Sequence, residues 1–380
     1  GLTSAFRLFS VLNARGLPLS TCDLLKSENL GVIEDDREKE VCAHLWRDME
    51  EGLGRDELEN LIAHIRTIKT KEKARLGMYE EYQRLFKRGE LEKGAKFIDF
   101  LREMADIYDE KVLQGQNNLD DAEKRNRYKI IVDMMNRFIP FSDWVPPLIR
   151  FCHRFNTGEY LLDFLLRLEQ KVVVEWAAGF SPTERITSLN RIIKLIEETS
   201  NPKEVVDKLL FYRGDEEAKG KKARTLDFDK KQEILSVLKG KLDDTQFYSI
   251  YGGRFARYML LRVDMELWDL ENFAGYSGTI TVEHVLPQTA SKDSVWIELF
   301  SEEEREEWTN KFGNLVLLSG RKNSKAQNYD FEKKKEVYFK EKSTPFRITQ
   351  ELDDYKLWNV ESIKKRQAGL IRRIEGIFLS

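Results

Sequence analysis

Thr279-Ile280-Thr281-Val282-Glu283-His284-Val285-Leu286-Pro287-Gln288 is the stretch from which the organisation of the chain can be read. Four β-branched residues in a row favour a short strand. Pro287 stops it, because proline cannot donate to a ladder. An acid and an imidazole therefore stand side by side at a strand end. About thirty residues on, Leu315-Val316-Leu317-Leu318 is a second short apolar run, preceded by Gly313-Asn314 and followed by Asn323 and Asn328 at the start of a helical pattern. These are the only two persuasive strands.

Outward from that pair, almost everything reads as helix. Leu58, Leu61, Ile62, Ile65 and Ile68 recur at helical spacing within a helical region from 35 to about 112. Ser181-Pro182-Thr183-Glu184 has a capping hydroxyl, proline at the first helical position and glutamate at the third, and Asn201-Pro202-Lys203-Glu204 repeats the logic. Pro140, Pro146 and Pro147 read as helix breakers. Helical pattern returns from Asp229 and from Arg254 to Trp268, and a last helix runs from about Val360 to Phe378. With 380 residues, only 8 prolines and 41% apolar residues, the chain is long enough for two or three domains with a sizeable core. The expected fold is mainly α: a helical bundle domain, a small α+β domain around the two strands, and a C-terminal helix.

Composition excludes several classes. The formal net charge of −3 rules out a uniformly basic nucleic-acid coat. Three cysteines without a C-x-x-C exclude a disulfide framework and a cysteine zinc knuckle, and a reducing cytoplasm is the expected compartment. No apolar run approaches the roughly 20 residues of a membrane span, so no membrane association is expected. No Walker or dinucleotide glycine spacing is present. The chain opens on Gly1 and runs at once into apolar residues, which reads as a piece of something larger.

There are four histidines. His44, His64 and His153 lie in helical pattern beside apolar positions and read as ordinary packed or half-exposed residues. His284 has different company: Glu283, Asn314 and Asn323 on strand, loop, strand and helix form a set suited to metal-assisted phosphodiester hydrolysis. A hard cation takes oxygen from a carboxylate and a carboxamide, and the imidazole takes a proton from the attacking water. The same residues also suit an Asn-rich turn after a hairpin with His284 merely packed.

The string Glu283 to Gln288, then Gly313-Asn314-Leu315-Val316-Leu317-Leu318, then Asn323 and Asn328, resembles the HNH (ββα-metal) endonuclease pattern. It is similar, more closely, to the C-terminal nuclease domain of the GmrSD family, type IV restriction proteins that attack modified phage DNA. Trp358, Ile363 and Arg366 resemble that family's closing segment. Phe9 to Ser20 and Asp23-Leu24-Leu25-Lys26 look like the end of its ParB-like N-terminal domain, which binds and hydrolyses nucleoside triphosphate. The resemblance implies His284 as general base, Glu283 as a metal ligand, Asn323 as the second ligand and Asn314 as the brace of the inter-strand loop. Mg²⁺ or Mn²⁺ is the implied ion. A nucleoside triphosphate is expected only for a longer chain carrying the upstream domain. The implied domains are 1–34 (remnant of the NTPase domain), 35–275 (helical), 276–345 (HNH nuclease) and 346–380 (C-terminal helical segment packing on the nuclease).

DNA affinity needs cations. Between Lys311 and Lys342 nine lysines and arginines stand against four acids. Arg321, Lys322, Lys325, Lys333, Lys334 and Lys335 are the expected phosphate contacts, and modified phage DNA is the expected partner, with a second copy or a partner restriction subunit possible. Two rival readings stay open: a helical DNA-binding or interaction module with a degenerate site, since Glu stands where HNH sites commonly have Asp, and an RNA-directed nuclease of the same architecture.

Overall fold

The computed structural model describes residues 19–155, 158–212, 225–320, 328–339 and 344–379. In chain order the longer elements are α1 (Thr21–Gly31), α2 (Asp36–Leu53), α3 (Arg55–Thr70), α4 (Met78–Lys87), α5 (Ala95–Ile107, extended by a π turn over Tyr108–Leu113), α6 (Ala122–Phe138), α7 (Val145–Phe155), α8 (Leu161–Ala177), α9 (Pro182–Glu198), α10 (Pro202–Lys208), α11 (Lys231–Leu242), α12 (Arg254–Met265), β1 (Ile280–His284), α13 (Val295–Leu299), α14 (Glu302–Trp308), β2 (Leu315–Ser319), α15 (Phe331–Phe339), α16 (Arg347–Gln350) and α17 (Val360–Leu379). The described residues are mainly α-helical with one small antiparallel strand pair, as the patterning implies. No helix among the described residues is long and apolar enough to cross a membrane.

The helices begin where their caps say. Ser181 accepts from Glu184 N while Glu184 reaches back to the Ser181 N–H, a reciprocal cap. Asn201 accepts from Lys203 N. Pro146 and Pro147 do not break a helix. They occupy the first turn of α7, where no intrahelical N–H bond is lost. Gly54 (φ 79°) separates α2 from α3 in a conformation that L side chains avoid.

Two compact units divide the described residues, one drawn from those within 19–117, 143–168 and 181–225, the other from those within 118–142, 169–180 and 226–379. α11 and α12 gather with the strand pair in the second unit. In the first unit the predicted stripe of α3 (Leu58, Leu61, Ile62, Ile65 and Ile68) is buried, with Trp46 and Met49 of α2 and Phe97, Ile98 and Leu101 of α5.

In the second unit β1 and β2 pair antiparallel, with Glu283 opposite Val316 and His284 opposite Leu315. Around them Val285, Leu286, Trp296, Phe300, Val316, Leu318, Phe331, Tyr338, Trp358 and Ile363 form one apolar cluster. The outer edge of β2 is covered by Thr349 of α16: its hydroxyl donates to Leu317 O at 2.7 Å, and Leu317 N donates to it at 3.1 Å. α17 is anchored by Arg366, whose guanidinium donates to Gly313 O and Leu315 O, each at 2.7 Å. Gly313 has to be glycine. A Cβ there would lie 2.6 Å from Ile363 O and 2.9 Å from Gln367 Cβ.

Candidate active site

The pleat sets the first constraint. Successive strand residues point to opposite faces, so Glu283 shares a face with Val316 and His284 shares the other with Leu315. The two neighbours in sequence accordingly meet different partners.

Glu283 meets Lys334. Nζ of Lys334 lies 2.6 Å from Glu283 Oε1 and 2.6 Å from the His284 carbonyl oxygen. The lysine is fully buried, and Glu283 nearly so. Burial pushes the Glu283 carboxyl up and the Lys334 ammonium down, each opposed by the other's charge. Lys334 sits on α15 in phase with Phe331 and Tyr338, which are buried beside it. Its expected place on an exposed DNA-binding face is therefore corrected: the ammonium has no access to a phosphate because it lies beneath the acid at the strand end. Lys335 is also engaged, donating to the Tyr355 carbonyl at 3.1 Å. Of the three consecutive lysines only Lys333 is exposed, with Nζ 3.9 Å from the centre of the Tyr329 ring.

His284 meets a different set. Its Nε2 lies 3.0 Å from Asn310 Oδ1, and its ring packs edge-on against Tyr248 with centroids 4.4 Å apart. Asn310 is held in turn. Gln288 donates to the same Oδ1 at 3.3 Å, and Tyr248 N donates to the Asn310 carbonyl at 3.0 Å. An amide oxygen only accepts, so Nε2 carries the imidazole proton and Nδ1 carries the free lone pair. Burial, aided by the Lys334 charge, pushes the imidazole down to about 4, so it is neutral near pH 7. A neutral imidazole held in one tautomer has a lone pair able to accept a proton.

Asn314 is fully buried and all four of its bonding positions are in use. Oδ1 accepts from Leu286 N at 2.8 Å and Trp358 Nε1 at 3.0 Å, while Nδ2 donates to Leu286 O at 2.9 Å and Thr309 O at 2.8 Å. The carboxamide bridges both ends of the 287–312 segment and has no lone pair left for a cation.

Arg321, Lys322, Asn323 and Lys325 lie outside the described residues. Among the described residues no group of three or more His, Cys, Asp or Glu side chains could hold a metal ion. A hard cation that keeps most of its water needs only one or two protein carboxylates. Glu283 supplies one such carboxylate, with Oε1 already on Lys334.

Sequence patterning alone did not single out Asn310, Tyr248 or the buried role of Lys334. For Lys334 a signal existed: Phe331, Lys334 and Tyr338 share one helical face. For Asn310, a polar residue in a turn, there was none.

Residues 228–373 match the family model described as GmrSD restriction endonucleases, C-terminal domain. The match spans α11 to most of α17, and so includes both strands and every group described at this site. A restriction-endonuclease domain implies nuclease activity on DNA. No curated protein matches the chain.

Proposed function

With residues 228–373 a GmrSD-type restriction endonuclease C-terminal domain, we propose that the chain hydrolyses DNA phosphodiesters at the C-terminal end of β1 with His284 as general base. The observation that carries this reading is the His284–Asn310 contact inside the matched segment. Asn310 Oδ1 holds the Nε2 proton, and Nδ1 takes the proton of an attacking water. Glu283 and Asn323 are the residues that would hold Mg²⁺ or Mn²⁺, and Lys334 keeps the Glu283 carboxylate in place. When bound, such a cation would supply neutralisation of the charge growing on the phosphate and the leaving oxygen. Asn314 holds the 287–312 segment against the strands, so that Asn310 faces the imidazole.

The finer features of the reading are an HNH-type site, a modified phage DNA substrate, and phosphate contacts from Arg321, Lys322, Lys325 and the exposed Lys333. A cytoplasmic setting and a second copy or partner restriction subunit complete it. Nicking of supercoiled plasmid, plain and base-modified, with and without Mg²⁺ or Mn²⁺, tests it. Metal-dependent nicking that disappears in His284→Ala supports the reading, and nicking unchanged by that substitution overturns it.

A second reading, a DNA-binding module with a spent site, is favoured by one observation: Lys334 already occupies Oε1 of Glu283. The same assay separates them, because a spent site binds DNA without nicking it under any divalent metal.

A further inference from the structure

The first unit contains a basic recess of about 440 Å³ between the end of α3, the following segment to Gly77, and α4. Arg66, Lys69, Lys73, Arg75, Arg84 and Arg88 line it. Three carboxylates also line it, but the innermost, Glu81, is already committed. It accepts from Arg75 N at 3.0 Å and Leu76 N at 3.1 Å, and pairs with Arg66 at 3.3 Å. The others, Glu72 and Glu90, lie on the exposed rim with loose contacts of 3.7 Å to Arg75 and Arg88.

At the base, Arg66 is 4% exposed and donates to the Glu72 carbonyl and to Glu81. Its Nε is buried with no hydrogen-bond partner. A buried guanidinium N–H left unpaired is destabilising, and an anion reaching it would relieve that. Nearby, burial and the like charge of Arg150 push the Lys69 ammonium below its usual value. Arg84 and Arg88 stand exposed one helical turn apart at the end of α4. Like charges gathered around a recess favour an anion between them.

We propose that this recess binds a phosphate group, and that the phosphate belongs to a nucleic-acid backbone. Forked guanidiniums suit phosphate oxygens. The lining is built for anion contact: guanidiniums and ammoniums dominate it, its one apolar side chain is Leu85, and no aromatic ring or carboxamide joins it. A free nucleotide would leave its base without an aromatic stacking partner or an apolar slot, whereas a backbone phosphate needs neither. The restriction-endonuclease match enters only in naming DNA as the carrier of the phosphate. The site makes the first unit a second point of hold on DNA, separate from the hydrolytic residues.

The test is equilibrium binding of a fluorescent 20-base-pair duplex to the full chain in EDTA, where cleavage plays no part, across a salt series. Arg84→Glu/Arg88→Glu is compared with Lys203→Glu/Lys208→Glu, two cations that do not line the recess. Lys73→Glu/Arg75→Glu serves as a second recess variant, and circular dichroism confirms folding. The expected result is a loss of at least about 10-fold in affinity for the recess variants, with the slope of log affinity on log salt shallower by about one to two, and less than about 2-fold change for the control. Recess and control variants behaving alike overturns the site. Calorimetry with ATP forms the other arm: ATP binding that the recess variants abolish, with duplex affinity unchanged, overturns the backbone assignment. Neither result depends on whether His284 is a base, which the nicking assay reads separately.

Discussion

Asn310 Oδ1 lies 3.0 Å from His284 Nε2, and that contact decides which nitrogen of the imidazole is basic. The acceptor comes from the turn before β2 and the ring from the end of β1, so the tautomer depends on the path of the loop between the strands. Removing the carboxamide frees the ring to rotate and to exchange tautomers. Asn310→Ala should therefore lower kcat with little change in KM. The loss of one orienting hydrogen bond is worth about 0.5–1.5 kcal/mol, a few-fold to about 10-fold in rate. Asn310→Asp, which keeps the acceptor, should recover much of it. Equal losses in both variants would mean that the contact does not set the tautomer.

Asn314 should behave as structure and not as a ligand. Asn314→Ala leaves Leu286 N and O, Thr309 O and Trp358 Nε1 without their partner in a buried place. Each stranded group costs about 1–3 kcal/mol. The melting temperature should fall by about 10 °C or more, and by the same amount with and without Mg²⁺. A melting temperature that falls only in the presence of metal would instead make Asn314 a ligand.

Lys334 and Lys333 are adjacent in sequence and should fail differently. Lys334→Met leaves the nearly buried Glu283 carboxylate unpaired, a loss of about 3–5 kcal/mol by denaturant unfolding. Lys333→Ala should leave stability within about 0.5 kcal/mol and flatten the salt dependence of DNA binding by about 0.9, one phosphate contact. If Lys334→Met unfolds like wild type, the ion pair is not holding the strand end.

The contrast between these two lysines shows where the sequence is legible. The strand pair is, because β-branched residues, a stopping proline and a short apolar run act locally. So are the helix starts at Ser181 and Asn201, where side chain and capped N–H are two or three residues apart. Lys334 is not, because a run of three lysines reads as solvated until the phase set by Phe331 and Tyr338 turns its middle member inward. Asn310 is less legible still: its partner is 26 residues away, and only the return of the chain along β2 brings them together. Pro146 and Pro147 mark the opposite limit, since a breaker and a helix start carry the same residue and only position tells them apart.

Asp264 should give the second unit a recognisable pH dependence. Burial raises its carboxyl from an ordinary value of 3.8 to about 6, against hydrogen bonds from Ile348 N, Tyr276 and Trp268. Because the folded value is the higher one, the native state binds the proton more tightly than the unfolded chain. Its contribution is full below about 4 and is lost as pH rises through 6, by roughly 2–3 kcal/mol. Asp264→Asn removes the titration, so its unfolding free energy should be flatter between pH 4 and 7 than that of wild type. The absolute value should fall, because the new amide N–H meets the Trp268 donor. An unchanged slope would show that Asp264 is not the titrating group.

The central claim, that His284 Nδ1 takes the proton of the attacking water, is tested most directly by single-turnover cleavage of a labelled DNA duplex in saturating Mg²⁺ or Mn²⁺. Wild type and His284→Ala are compared after circular dichroism and EDTA binding assays confirm that both are folded and hold DNA equally. General-base catalysis contributes about 10²–10⁴-fold, so the His284→Ala rate should fall by that factor while duplex affinity stays the same. Cleavage by His284→Ala at the wild-type rate would contradict the account.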